Sequence, residues 1–245
     1  MKLRNKGDGC DDTRRRGRFF AWPGWPLLRF AGLLALADAG WFAFVYGGCE
    51  WLTAHRSLRV RIHLPGELSI PLVPGAVLAY MSIYLLFFAA PFIIRERREI
   101  LALSRALALA ILLGGVGFLL LPARAVYAPP GKLGVWAELF HFADWLNLDY
   151  NMVPSLHVAL SVCCIAAYAR QASQAGRAGL WLWAAAIALS TLLTHQHHIV
   201  DAVSGWAVGL GVWRWGKTLR YQRRPPPPSR RPPPPRGAPA FPPGR

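Results

Sequence analysis

The chain has 245 residues, of which 54% are hydrophobic and only 16% charged, and its net charge is +16. In an ordinary soluble domain about a quarter of the residues are charged. Helices buried in a large soluble core would also need amphipathic partners to cover them, and this sequence offers almost none. The basic excess lies mainly in two tails beside apolar stretches, so attraction to anionic lipid headgroups explains it more simply than nucleic-acid binding.

Apolar stretches along the chain predict membrane-spanning helices, because a bilayer core needs roughly 20 mostly apolar residues as helix. The fourth and fifth stretches are short on a strict apolar count, and small neighbours such as Ala172 extend them. The predicted fold is therefore an all-α integral membrane protein, a six-helix bundle over residues 27–215 between a basic tail (1–26) and a Pro/Arg-rich tail (216–245). The predicted spans are Leu27–Tyr46, Leu72–Ile94, Leu101–Leu121, Ser155–Ala169, Leu180–Leu193 and His197–Trp215.

The distribution of basic residues predicts the topology. With both termini cytoplasmic, the inner segments hold 21 Lys/Arg and the outer loops hold five. This is the asymmetry of the positive-inside rule. We therefore expect a bacterial inner (plasma) membrane protein whose outer loops face the periplasm or the exterior. The sequence does not predict an oligomeric state.

Both tails allow a second interpretation. Residues 14–20 (RRRGRFF) resemble a twin-arginine export signal, but the apolar run that follows is longer than a signal h-region, which favours a retained first span. The tail after Arg224 is rich in proline and should be disordered, either as a solvated basic extension or as a ligand for an SH3-like partner. The four cysteines have no metal-ligand spacing and suggest packing, and no cofactor is implied.

The first chemically informative segment is NMVPSLHVA, residues 151–159. Pro154 can occupy the first position of a helix, since that position needs no N–H donor. Ser155 and His157 would then lie in the first turn of the fourth span. A helix N-terminus has free N–H groups and a positive dipole, so it is a natural seat for phosphate.

The second segment is THQHHIVDAVSG, residues 194–205. His197 and Asp201 are four residues apart, so on a helix their side chains can meet. A carboxylate bonded to one ring nitrogen fixes the tautomer and leaves the other nitrogen as a nucleophile. His198 would point about 100° away from His197 on the same helix and so does not share that role. In the six-span topology both segments begin helices on one membrane face, where two histidines, a serine and an aspartate would be costly to bury without function.

Pro154-Ser155-Leu156-His157, followed by His197 and Asp201 four residues later, resembles the second and third signature motifs of the type 2 phosphatidic acid phosphatase superfamily. The resemblance runs from about Ile70 to Trp215. Its nearest branch is the one with inositol phosphorylceramide synthase (an inositolphosphotransferase) and sphingomyelin synthase relatives. Six spans with an outward-facing site are that family's architecture.

The resemblance implies a role for each matched residue. His197 would attack phosphorus and form a phosphohistidine, and Asp201 would orient it. His157 would protonate the leaving oxygen and then activate the acceptor. Ser155 would bind a phosphate oxygen. The substrate would be a lipid phosphate or pyrophosphate, and water as acceptor gives a phosphatase, whereas a lipid or polyol hydroxyl gives a phosphotransferase.

The sequence departs from the family pattern in its cations. The first motif, a Lys, six residues and Arg-Pro, is absent, and Thr191 stands where the third motif usually has an Arg. We expect Arg124, with Lys132 second, to meet the phosphate charge, and Thr191, Thr194 and His195 to add hydrogen bonds. A zinc site at the histidines is disfavoured, because no Glu or Cys neighbour completes a usual ligand set.

Three other interpretations remain open at this stage. A transporter or channel would also place polar groups within the membrane, but matched halves with Gly/Pro-broken helices are missing. A family member that binds lipid headgroups without turnover would explain the missing cations. Asp38, in the first span, is either a proton-relay acid or a partner of another helix.

Overall fold

The computed structural model describes residues 19–222, with side chains to residue 216, so most of the predicted basic tail and the Pro-rich tail lie outside the described residues. Within that range the fold is helical and contains no β-strand, which agrees with the predicted all-α class. Short 3₁₀ turns cover Glu67–Ser69, Pro74–Ala76 and Gly134–Trp136. The α-helices are α1 (Trp25–Ala54), α2 (Val77–Met81), α3 (Ile83–Ile93), α4 (Arg97–Leu120), α5 (Ala137–Leu146), α6 (Leu156–Tyr168), α7 (Gln174–Leu193) and α8 (Ile199–Gln222).

Four helical stretches of the described chain are long and apolar enough to cross a membrane: α1, Pro74–Ile93, α4 and α7. They coincide with the first, second, third and fifth predicted spans. The fourth, α6, is apolar but has only 13 residues. These helices indicate that the chain is a membrane protein. The count of six spans and the cytoplasmic position of both termini remain predictions.

Several predicted boundaries were wrong. α1 continues eight residues beyond Tyr46, to Ala54. The second span is interrupted at Ser82, whose hydroxyl donates to the Ala79 carbonyl at 2.6 Å and accepts from the Trp183 indole at 2.8 Å. The last helix begins at Ile199, not at His197, because the backbone N–H of His198 is capped by the Asp201 carboxylate at 2.8 Å.

α6 forms the centre of the bundle. Apart from its half-buried His157, every residue of this helix is buried, and it packs against α3, α4, α7 and α8. α8 approaches it closely because two glycines face it: a Cβ on Gly205 would lie 2.4 Å from the Ser155 carbonyl oxygen, and one on Gly209 would lie 2.6 Å from that of Ala159. Small residues four apart are a common way to bring membrane helices together. The contact aligns the first turns of α6 and α8.

The loops at this end of the bundle pack over the helix starts. Residues 121–126 run past the segment before α6, where Ala123 packs with Met152 and Val153, and the Val60 N–H donates to the Pro122 carbonyl at 2.9 Å. On another side, α5 packs against α2 through Phe140 and Tyr80. Asp38, left open from the sequence, accepts a hydrogen bond from Ser104 of α4 at 3.0 Å, so it pairs with another helix.

Candidate active site

The start of α6 differs by one step from the prediction. Ser155, not Pro154, begins it, as an extended N-cap residue (φ −62°, ψ 109°) whose hydroxyl accepts from the Val158 N–H at 3.4 Å. Ser155 is fully buried. The N–H groups of Leu156 and His157 in the first turn have no acceptor within the helix. Because of these donors and the helix dipole, this end of α6 suits an anion.

His157 is held by Tyr80, a residue that no motif or spacing in the sequence indicated. The His157 Nε2–H donates to the Tyr80 carbonyl oxygen at 2.7 Å, and the two rings stack at a centroid distance of 3.8 Å. A carbonyl can only accept, so Nε2 keeps its proton. Nδ1 is therefore the nitrogen of His157 that can exchange a proton.

The turn between α7 and α8 delivers His197. α7 ends at Leu193 with Thr194 as its C-cap residue, and His195 adopts the left-handed conformation (φ 59°) that closes many helices. The N–H groups of Gln196 and His197 then fold back and donate to the Thr191 carbonyl at 3.0 and 3.1 Å. The turn is thus fixed through the backbone of α7.

The two threonines expected at the phosphate, Thr191 and Thr194, bond to carbonyl groups of α7 instead. The Thr191 hydroxyl donates to the Ala188 carbonyl at 2.8 Å, and the Thr194 hydroxyl donates to the Ser190 carbonyl at 2.7 Å. Both residues are buried, with exposed fractions of 0% and 1%. Both hydroxyl protons are therefore donated to carbonyl groups of α7, so neither is free to donate a hydrogen bond to a phosphate.

Side chains of the turn form hydrogen bonds with two neighbouring segments and stack on a third. The His195 Nε2–H donates to the Ile70 carbonyl at 2.9 Å, and its ring stacks on Tyr127 at 4.2 Å. Gln196 accepts from the Asn147 amide at 2.6 Å and donates to Asp144 at 3.1 Å. These bonds compensate the roughly 1–3 kcal/mol that a left-handed non-glycine residue costs.

His198 belongs to a buried pair that the sequence did not reveal. Its Nε2 accepts from the Val126 N–H at 3.4 Å, and its Nδ1 faces the Glu67 carboxylate at 3.3 Å. Neither side chain is exposed. Both nitrogens of His198 point into the protein, so this imidazole cannot reach a substrate. The expected reason, a rotation of about 100° between His197 and His198 along one helix, does not apply, because both residues precede α8.

Glu67 anchors the start of α8. Its carboxylate accepts from the backbone N–H groups of Leu64 and Ile199 and from the Tyr127 hydroxyl. Burial raises the pKa of Glu67, but the two N–H donors and the His198 imidazole outweigh it, and the net pKa lies below its usual 4.5. Glu67 is 131 positions from His198, and no spacing rule links them. Only the fold could identify the pair.

His197 and Asp201 meet as the sequence predicted, but in a different way. His197 lies in the turn, two residues before the first residue of α8, and Asp201 lies in the first turn of that helix. The His197 Nδ1 and the Asp201 Oδ2 are 3.4 Å apart, and the same oxygen accepts the His198 N–H. Asp201 is completely buried, its Oδ1 has no partner among the described residues, and His197 is 7% exposed.

The two helix starts are joined directly. The Ser155 N–H donates to the Asp201 carbonyl oxygen at 3.0 Å, and His157 lies within electrostatic range of His197. The structure therefore brings together four of the predicted site residues: Ser155, His157, His197 and Asp201. Within residues 19–222, no group of three or more His, Cys, Asp or Glu side chains is arranged to hold a metal ion.

The predicted cations are not brought into this cluster. Arg124 is exposed between buried Ala123 and half-buried Ala125, so in this extended segment its side chain points away from the packed face. Lys132 is also exposed. A cation that the sequence did not single out, Arg59, lies 4.2 Å over the ring of Tyr150, in the segment that leads to α6.

Comparison with known proteins gives one family. No curated protein and no solved structure matches the chain. The family model described as the PAP2 superfamily matches residues 71–215. The match covers more than half of the chain and includes both helix starts described above. The chain therefore belongs to the PAP2 superfamily, which indicates an activity of the lipid phosphatase or phosphotransferase type.

Proposed function

We propose that the protein is a membrane lipid phosphatase or phosphotransferase that acts on a lipid phosphate or pyrophosphate at the outer membrane face through a phosphohistidine. The observation that carries the proposal is the pairing of His197 with Asp201 at 3.4 Å, next to His157 and to the start of α6. A histidine nucleophile, its orienting carboxylate and an acid–base group are the parts that this reaction needs. All three lie at one end of the bundle.

In the first half-reaction the His197 Nε2 attacks phosphorus. Its Nδ1–H points to Asp201, which fixes the tautomer and stabilises the positive charge that develops on the ring. A P–N bond forms as the bond between phosphorus and the leaving oxygen breaks. His157, protonated at both nitrogens, gives its Nδ1 proton to that oxygen and keeps the Nε2 proton on the Tyr80 carbonyl.

In the second half-reaction the now neutral His157 takes a proton from the acceptor hydroxyl. The acceptor oxygen attacks phosphorus, the P–N bond breaks, and His197 is regenerated. The first-turn N–H groups of α6 stabilise the charge on the phosphate oxygens. Water as acceptor gives net hydrolysis, and a lipid or polyol hydroxyl gives headgroup transfer of the inositolphosphotransferase type.

The small number of nearby cations favours a substrate of low charge. Arg124 and Lys132 are exposed, and the Arg59 guanidinium is already bonded to the backbone carbonyls of Thr53, Arg56 and Leu58. A phosphodiester carries one negative charge, whereas a phosphomonoester carries up to two. The helix N-terminus can meet the first more easily than the second, so transfer from a phosphodiester lipid is the second candidate.

The test is a comparison of donors and acceptors with the protein purified in detergent. Phosphate release from phosphatidic acid and from polyprenyl pyrophosphate is measured beside transfer from phosphatidylinositol to ceramide or diacylglycerol. We expect turnover in at least one assay and its complete loss in His197→Ala, with unchanged turnover in His55→Ala, an exposed histidine at the end of α1. Wild-type rates in His197→Ala would refute the mechanism, and flux across vesicles without hydrolysis or histidine dependence would indicate a transporter.

A further inference from the structure

α5 and the 3₁₀ turn before it expose an unusual amount of apolar surface for a segment outside the long spans. Val135 is 91% exposed, Trp145 75% and Phe142 50%. The Phe142 and Trp145 rings stack on each other with their centroids 6.1 Å apart. Aromatic side chains are normally the first to be buried, so this surface requires a partner.

The residues of α5 fall into three sectors around the helix axis. One sector, with buried Phe140 and Ala143, packs against α2. A second, narrow sector is polar and holds His141 and Asp144. The third holds Phe142 and Trp145, with half-buried Leu139 and Leu146 at its margin and Glu138 in the first turn, where its charge complements the helix dipole. Most of the circumference of α5 is therefore apolar. Of its apolar surface, only the Phe140–Ala143 sector is covered by protein.

The position of α5 indicates what covers the remaining sector. It packs against Val77 and Tyr80, which lie three and six residues after Pro74, the start of a helical stretch that is able to cross the membrane. At 1.5 Å per residue this is about 5–9 Å along that stretch. Interfacial helices bury their apolar face by about 5–10 Å at the boundary of headgroups and acyl chains, with Trp and Phe on that face. With the membrane-crossing stretch taken to begin at Pro74, the exposed sector of α5 would lie at the depth where a bilayer changes from polar to apolar.

We propose that α5 is an interfacial helix whose Phe142–Trp145 face, together with Val135, binds the lipid surface on the site side of the membrane. Its polar sector lies beside this face and contacts the protein, because Asp144 accepts from Gln196 of the His195–His198 turn. Asn147, directly after α5, bridges Gln196 and the Tyr80 hydroxyl at 2.6 and 2.8 Å. The helix therefore connects the lipid surface with the segments that hold His157 and His197.

Site-specific fluorescence tests the docking without any assay of activity. Cys49, Cys163 and Cys164 are buried, so replacement of Cys10 with Ser provides a background for labelling single introduced cysteines. An environment-sensitive fluorophore is attached in Phe142→Cys, Trp145→Cys and, as the control on the polar sector, Asp144→Cys, because position 144 lies about 160° from 142 and about 100° from 145 around the helix axis. The proteins are reconstituted into phosphatidylcholine–phosphatidylglycerol vesicles with and without spin-labelled lipid.

We expect a blue shift and several-fold stronger quenching by the spin-labelled lipid at positions 142 and 145 than at 144. Equal quenching at the three positions, or none, would overturn the proposal. A blue shift at 142 and 145 that lipid does not quench, but that depends on the ratio of protein to lipid, would assign this face to a second copy of the chain. That result would also overturn lipid docking.

A second arm rests on the proposed function. Phe142→Ser with Trp145→Ser should lower kcat/KM several-fold for long-chain phosphatidic acid in vesicles and leave it unchanged for a short-chain, water-soluble phosphatidic acid, with His141→Ser as control. Equal loss on both substrates would contradict a role in contacting the lipid surface. If the wild type turns over none of the donors named under the proposed function, that function fails, and the fluorescence still decides the docking.

Discussion

The Ser155 N–H donates to the Asp201 carbonyl oxygen at 3.0 Å, so the N-cap residue of α6 and the first turn of α8 share a backbone hydrogen bond. Ser155 precedes His157 by two residues, and Asp201 follows His197 by four. The bond therefore fixes the distance between the proposed acid–base group and the proposed nucleophile through the main chain. Side-chain substitutions at these positions can change chemistry without separating the two helix starts.

The close approach of α6 and α8 can be tested at its glycines. Gly205→Ala would place a Cβ 2.4 Å from the Ser155 carbonyl oxygen, whereas a Cβ at Gly211 meets nothing within 4 Å. We expect Gly205→Ala to cost roughly 1–3 kcal/mol of stability and to lower turnover as the helix starts separate. Gly211→Ala, the matched control, should leave the thermal melting temperature and turnover unchanged. Wild-type turnover in Gly205→Ala would show that the reaction tolerates a wider separation.

The contribution of His157 to the rate of turnover should increase with the basicity of the leaving group. His157→Gln removes the exchangeable Nδ1 proton, and we expect turnover of phosphatidic acid to fall roughly 10²–10⁴-fold. An aryl phosphate such as p-nitrophenyl phosphate needs little protonation of its leaving oxygen, so its first half-reaction should be much less affected. Rapid-mixing measurement of p-nitrophenol release reports this step directly. Equal losses on both substrates would argue that His157 binds phosphate rather than transfers a proton.

Asp201→Asn keeps the size of the side chain and an oxygen that can accept the His198 N–H, but it removes the charge. We expect a large fall in turnover with little change in melting temperature, since the amide cannot stabilise a positive ring at His197 as the carboxylate does. Trapping with ³²P-labelled substrate and acid lability of the label measure the phosphohistidine. Undiminished phosphohistidine formation in Asp201→Asn would remove Asp201 from the mechanism.

Glu67→Gln should change the pH dependence of stability. The pKa of Glu67 in the folded protein lies below 4.5, its usual value, so its stabilising contribution is complete above that pH and is lost as the pH falls through the folded pKa. Loss of the charged hydrogen bonds to Leu64 and Ile199 should cost roughly 1–3 kcal/mol at neutral pH. Melting temperatures of both proteins between neutral and acidic pH should converge on acidification. A constant difference at every pH would show that the carboxylate is not ionised in the folded protein.

The motif residues could be predicted from the sequence because their relationships are local. Asp201 follows His197 by four residues and Ser155 precedes His157 by two at a helix start, so each pair was close in sequence, although His197 and Asp201 meet through a turn rather than along a helix face. The all-helical class could be predicted from the long apolar stretches, which are also a local property of the sequence. The exact helix start at Ile199 could not be predicted, since it depends on competition between helix continuation and capping by Asp201.

The supporting contacts could not be predicted because they join distant segments. Tyr80 lies 77 positions from His157, and Glu67 lies 132 positions from Ile199. Thr191 and Thr194 were expected at the phosphate because they flank the motif, but a helical threonine can also donate to a carbonyl of its own preceding turn. In this protein both do so. Arg124 was selected by adjacency, and its direction depends on the packing of Ala123.

The short length of α6 bears on the depth in the membrane at which the reaction would take place. Thirteen helical residues extend about 20 Å, whereas the hydrocarbon core of a bilayer is about 30 Å thick. If α6 crosses the membrane as predicted, either the bilayer is thinned around it or one of its ends lies below the level of the headgroups. Where that end is the Ser155 end, a lipid phosphate would have to move towards the hydrocarbon to reach His197, at a depth where water is scarce and the hydroxyl of a neighbouring lipid is close. The acceptor of the proposed reaction would then be decided as much by the depth of the site as by its side chains.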